Sequence, residues 1–203
     1  MRIAAVVLAS IVTLPVAAEP VTYTVDPTHT FPSFEVSHIG FSTQRGRFNA
    51  SSGKIMLDRA AKLGSIDIAI DTSSIDTGLA KLEEHLRSED FFNVAKFPTI
   101  TFKSDRVRFN GKRPVSARGD FTMLGVTKPV SLAITNFKCG QHPVNKKFLC
   151  GADASTSFRR SDYGMSYALP AVGDVVKINI QIEASDDIQS AGADKAGGPV
   201  SSP

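Results

Sequence analysis

The chain has 203 residues, 42% hydrophobic and 21% charged, with 15 glycines and 11 prolines. That balance excludes collagen-like, coiled-coil and disordered classes, and the length suits one domain with a sizeable core. A net charge of +3, evenly spread and without a long Lys/Arg run, does not point to nucleic acid.

Residues 1–18 read as a secretory signal peptide. Arg2 precedes a mostly apolar run from Ile3 to Leu14, and Val16-Ala17-Ala18 supplies the small residues of a cleavage site. A membrane anchor is the competing reading, but the run is short, carries Ser10 and Thr13, and stops at Pro15. Cleavage after about Ala18 predicts an exported, periplasmic chain with no integral membrane segment. The folded domain is then expected over 19–185.

Most of that domain alternates with period two. Phe34, Val36 and His38 share one face of the first clear strand. Ile66, Ile68 and Ile70 alternate with Asp67, Ala69 and Asp71. Ile100 and Phe102 follow, then Val107 and Phe109 against Arg106 and Arg108. Val130, Leu132 and Ile134 alternate with Ser131, Ala133 and Thr135. Val176, Ile178, Ile180 and Ile182 alternate with Lys177, Asn179, Gln181 and Glu183. Such faces belong to antiparallel strands buried on one side. Ser52-Gly53, Asn110-Gly111 and Leu124-Gly125 read as turns between them, and about eight strands are predicted.

One segment breaks the period. Over 78–95 Leu79, Leu82 and Leu86 recur at helical spacing, with Asp76 or Thr77 as candidate cap and Pro98 beyond its end. Cys139 and Cys150 are the only cysteines and bracket a polar, turn-like stretch. In an oxidising compartment they are predicted to staple a hairpin, with His142 too isolated for a metal site. Residues 186–203 are small, polar and rich in Gly and Pro, and are expected to form a disordered tail. The fold class is all-β, and periodicity leaves open a sandwich or a closed barrel, and a packed core or a ligand cavity.

Six ordered tracts go further. They are Tyr23-x-x-Asp26-x-x-His29 with Phe34-x-Val36-x-His38, Ser42 and Gly46-x-Phe48; His85-Leu86-Arg87-Ser88-x-Asp90-Phe91-Phe92; Phe97-Pro98-Thr99-Ile100-Thr101-Phe102 with Ser104; Gly119-Asp120-Phe121-Thr122; Gly125-Val126-Thr127-Lys128-Pro129-Val130; and Phe158-Arg159-Arg160-Ser161-Asp162-Tyr163-Gly164-Met165. Together, over about 21–184, they resemble the YceI-like family of periplasmic polyisoprenoid- or lipid-binding proteins. The resemblance implies a lipocalin-like antiparallel barrel of about eight strands, partly closed by the helix. It also implies an apolar tunnel for a polyprenyl phosphate, a quinone or another long amphiphile. Thr30 stands where the family usually has Ser, the cysteine pair is not a general family feature, and the lipocalin G-x-W signature is absent.

On this reading Phe34, Val36, Phe48, Phe91, Phe92, Phe102 and Phe121 are candidate tunnel walls, with Ile100, Val130 and Leu132 beside them. Adjacent Phe91 and Phe92 are expected to point to opposite sides. A polar head needs donors at the mouth, for which His29, His38, Arg87 and Tyr163 are candidates. For His38 a hydrogen-bonded core role competes, and Arg159 and Arg160 read as a surface ion pair or turn brace. G-x-S-x-G, H-E-x-x-H, Walker and G-x-G-x-x-G motifs are absent, and the four histidines lack metal-ligand spacing. No catalytic residue, metal or cofactor is predicted, and a homodimer through the barrel mouth is a candidate assembly. The predicted function is a carrier or scavenger of the amphiphile; the alternative is an accessory or enzyme acting on it.

Overall fold

The computed structural model describes residues 20–186. The leader expected over 1–18 and the tail expected over 186–203 lie outside the described residues, save Asp186, which ends the last strand.

Eleven strand segments are present among the described residues. They are β1 (Val21–Val25), β2 (Phe31–His38), β3 (Ser42–Phe48), β4 (Ser51–Asp58), β5 (Leu63–Asp71), β6 (Ile75–Asp76), β7 (Thr99–Asn110), β8 (Arg113–Met123), β9 (Val126–Gln141), β10 (Phe148–Arg159) and β11 (Val172–Asp186). Every pairing is antiparallel, and β1–β4–β5–β7–β8–β9–β10–β11 closes through β11–β1 into an eight-stranded ring. β2, β3 and β6 prolong three ring positions: β2 continues β1, β3 leads into β4, and β6 follows β5. The fold is therefore a closed up-and-down barrel, which leaves no free ring edge.

The alternating faces account for the closure. Ile178 lies opposite Phe34, Val176 opposite Val36, Ile68 opposite Phe102 and Ile70 opposite Ile100. Each pair sets two apolar side chains toward the same interior, so the period-two pattern is satisfied on β2, β5, β7 and β11.

The meander sorts the connections to two ends. One end carries the β4–β5, β7–β8 and β9–β10 turns. There Tyr23, Leu57, Cys150 and Ala184 form a buried plug, with Phe109, Phe137 and Phe148 against it. Cys139 and Cys150 face each other in the β9–β10 register with Cα atoms 4.0 Å apart and form the expected disulfide. Its short loop contributes about 3 kcal/mol on the chain-entropy account. The other end carries the β2–β3 turn, the β6–β7 connection with helix α1 (Ala80–Arg87), the β8–β9 turn and the loop between β10 and β11.

Two local expectations are corrected. The helix predicted over 78–95 is confined to α1, Ala80–Arg87. Ser88 ends it in an extended conformation, with its Oγ donating to the His85 carbonyl and accepting from the Asp90 amide. Asn93 is left-handed, which forbids a helical resumption. Neither Asp76 nor Thr77 is the cap: Leu79 holds that position without a side-chain bond, while Glu83 accepts from the Thr77 amide. The second correction is Ser52-Gly53, which lies within β4 and is no turn.

Candidate functional site

A cavity of about 410 Å³ occupies the barrel interior. Ligand sites typically fall in the range of roughly 300–1,000 Å³. Its wall comes from the inward faces of all eight ring strands and of β2, and it reaches from the disulfide plug to the helix end.

The cavity has an asymmetric boundary. At the disulfide end Tyr23, Leu57, Cys150 and Ala184 are all buried. At the helix end β3 pairs with β6 only at Arg47–Asp76 and Phe48–Ile75, so the first half of β3 has a bare edge. Gln44 and Arg45 on that edge are exposed yet border the cavity, and Thr77, Leu82 and His85 border it from the α1 side. The mouth is this slot between β3 and α1. Its helix side is held by an aromatic triangle: His85 and Phe91 centroids are 5.1 Å apart, and Tyr167 lies 5.3 Å from each. His85 Nε2 also meets Asp90 Oδ2 at 2.9 Å.

Eleven predicted wall or head residues border the cavity: Phe34, Val36, His38, Phe48, Phe91, Phe92, Ile100, Phe102, Phe121, Val130 and Leu132. Phe91 and Phe92 do not split between two sides. Both are buried and both border the cavity, because the helix has already ended and the following turn aims both rings inward. Phe92 meets Phe48 edge-on at 5.5 Å. Among the described residues no hydrogen bond reaches the His38 ring, so it is not tied into the core.

Three predicted head-group residues stand elsewhere. His29 projects outward in the β1–β2 bend, with its ring Nδ1 2.8 Å from Asp26 Oδ2. Arg87 donates to the Ser73 and Ile75 carbonyls and so braces α1 against the β5–β6 corner. Tyr163 is buried behind the wall, edge-on to Phe121 and Phe158. Arg159 forms an exposed pair with Asp174 at 3.5 Å. Arg160 is the turn brace: Nε, Nη1 and Nη2 donate to the carbonyls of Gly173, Met165 and Val172.

Sequence reasoning missed His85, Tyr167, Gln44 and Arg160 as cavity residues. His85 and Arg160 lay inside quoted tracts; Gln44 and Tyr167 carried no signal, since their place depends on which strand edge stays unpaired. Spacing along the chain also hid a grouping at the bend. Glu183 of β11 joins Asp26 and His29, with potential ligand atoms all within 4.8 Å. Asp26 is already engaged there by Thr28 and His29.

This bend predicts a pH response. The Asp26 hydrogen bond, then its charge, raises the His29 pKa above 6.5. For Asp26 burial pulls upward, but bonds from Thr28 and His29 outweigh it and leave the pKa below 3.8. The raised His29 pKa stabilises the bend below 6.5, an effect lost as pH rises through the folded value. The lowered Asp26 pKa stabilises it above 3.8, an effect lost as pH falls through the folded value. An NMR titration is expected to give a His29 midpoint above 6.5 that falls back toward it in Asp26→Asn. A midpoint indifferent to that substitution contradicts the pairing.

The model of the YceI-like domain matches residues 23–184. The chain belongs to the YceI-like family. This YceI-like chain is 37% identical over 174 residues to a UPF0312 protein of Shewanella denitrificans, covering 84% of this chain and 90% of that protein. A UPF0312 protein of Vibrio cholerae is 34% identical over 164 residues, covering 79% and 86%. Among solved structures, BcnA of Burkholderia cenocepacia superposes with a TM-score of 0.67 at 21% identity, covering 79% of this chain and 99% of that one. A polyisoprenoid binding domain from Saccharophagus degradans gives 0.56 at 15% identity, covering 82% and 99%. These two structural likenesses are of fold. The YceI-like barrel in each case spans nearly the whole of the neighbour.

Proposed function

We propose that this chain is an exported binding protein that takes a long-chain isoprenoid lipid, a quinone or a similar long amphiphile into its barrel. It acts as carrier or scavenger and not as a catalyst. The observation that carries this reading is the apolar cavity, continuous from a buried plug at one end to a slot at the other. Each methylene moved from water into such a space contributes about 0.8 kcal/mol, so a long chain supplies most of the affinity. The neighbour described as a polyisoprenoid binding domain supports the ligand class. The apolar leader and the disulfide support export, since disulfides persist in oxidising compartments. Among the described residues no helix is long and apolar enough to cross a membrane.

The test is to purify the protein from its own cells without detergent, extract it with organic solvent and analyse the extract by mass spectrometry. A stoichiometric isoprenoid or other long-chain amphiphile is expected. A blank extract, together with no uptake of added lipid, overturns the reading.

A further inference from the structure

Three of the polar residues bordering the cavity, Arg160, His38 and Gln44, lie toward the helix end. Arg160 is 2% exposed yet contributes to the cavity wall. A guanidinium carries five N–H donors. Here three bonds go to the Gly173, Met165 and Val172 carbonyls, one from each nitrogen, which leaves one N–H on each terminal nitrogen. Carbonyls satisfy donors but do not neutralise charge. The nearby carboxylate, Asp174, is committed to the Ser161 amide and hydroxyl and to Arg159, and forms no ion pair with Arg160. Burial pulls the Arg160 pKa below its ordinary value, with Asp174 opposing, as suits a cation withdrawn from water.

His38 stands beside it. Its Cα pairs with Val172, whose carbonyl receives Arg160 Nη2 at 3.0 Å. Gln44 lies two residue pairs along the same hairpin, opposite Val36. Among the described residues neither His38 nor Gln44 has a hydrogen-bonded side chain, and both border the cavity. A buried cation whose nearest carboxylate is shared with other donors is only partly compensated, and an anion brought to it recovers part of the lost solvation. Parallel N–H groups of a guanidinium also match the paired oxygens of a phosphate or carboxylate.

We propose that Arg160, flanked by His38 and Gln44, reads the head group, and that the occupant is therefore an anionic amphiphile bearing a phosphate or a carboxylate. The inference rests on the carrier reading and selects within it: a neutral quinone or alcohol leaves the Arg160 charge unanswered.

Binding by calorimetry separates the cases. The probes are geranylgeranyl phosphate against geranylgeraniol, and oleate against oleyl alcohol. The wild-type protein is expected to bind at least one anion tenfold or more tightly than its own alcohol; which pair shows the preference identifies phosphate or carboxylate. In Arg160→Gln the ratio is expected to fall to near one, and because it is a ratio any change in affinity common to anion and alcohol cancels. Equal affinities for anion and alcohol in both wild-type pairs overturn the proposal and leave the carrier reading standing. Failure of all four probes to bind overturns both. A tenfold preference surviving in folded Arg160→Gln removes Arg160 from the role. Arg160 also braces a loop, so should that variant not fold, Gln44→Leu on the exposed rim decides. Its expected result is at least a threefold loss of the ratio, and an unchanged ratio counts against the site.

Discussion

Val36→Trp is expected to weaken binding of a long-chain lipid by about fiftyfold while the barrel stays folded. Val36 sits on β2 between Val176 of β11 and Gln44 of β3, and borders the cavity just inside the slot. An indole there occupies space that a chain would use. Excluding three methylenes at about 0.8 kcal/mol each removes about 2.4 kcal/mol of binding, which is the fiftyfold. The side chain enters an existing void, so the overpacking cost of a filled core is small. Calorimetric affinity and thermal unfolding on the same sample check it. Unchanged affinity in a folded variant means that the chain of the ligand does not pass Val36, and the tunnel assignment fails.

Gly53→Ala is expected to destabilise the barrel by about 3 kcal/mol or more, from backbone strain and a clash together. Gly53 has φ +142°, a conformation L side chains rarely adopt, and a Cβ there falls 2.1 Å from the Asp67 carbonyl oxygen of the paired strand. Backbone on backbone cannot yield as a flexible side chain can. Either the β4–β5 register breaks locally or the strands part, just past the point where β3 gives way to β4. Gly140→Ala is the control, because its added Cβ meets nothing within 4 Å. Urea unfolding is expected to separate the two variants widely. Equal stabilities show that the tight approach at Gly53 relaxes at no cost.

The same glycine marks where sequence reading stops. Ser52-Gly53 looks like any two-residue turn, as Asn110-Gly111 and Leu124-Gly125 do; Leu124-Gly125 is one, and Asn110 leads into one formed by Gly111 and Lys112. What distinguishes Gly53 is that β4 continues through it and β5 presses against it, a fact of pairing and not of local propensity. The helix is a similar case. Leu79, Leu82 and Leu86 carry the helical period, but Ser88 and Asn93 end the helix before Phe91 and Phe92, whose joint inward aim follows from that ending.

The candidate site divides along the same line. The inward faces carrying Phe34, Val36, His38, Phe102 and Phe121 were legible, because a strand buried on one side writes its burial into the chain at period two. The cysteine staple was legible too, since Cys139 and Cys150 are adjacent in space through one hairpin. His29, Arg87 and Tyr163 were named as head-group donors on residue type alone, and type does not say which way a side chain leaves a bend, a helix or a 3-10 turn. His29 is spent on Asp26, Arg87 on two carbonyls and Tyr163 on two rings.

By itself, then, the sequence determined an all-β antiparallel class, its apolar interior faces and its cysteine staple, because those rest on alternation and on contacts close along the chain; the choice of barrel over sandwich came only with the resemblance to the YceI-like family. Only the tertiary structure decided that eleven segments close into eight positions, that the mouth is the bare edge of β3 facing α1, and that Arg160 borders the cavity with its guanidinium held by three carbonyls. Those features are set by ring closure, which brings β11 to β1 and β2 across some 150 residues. No local pattern of propensity or period encodes a contact of that range.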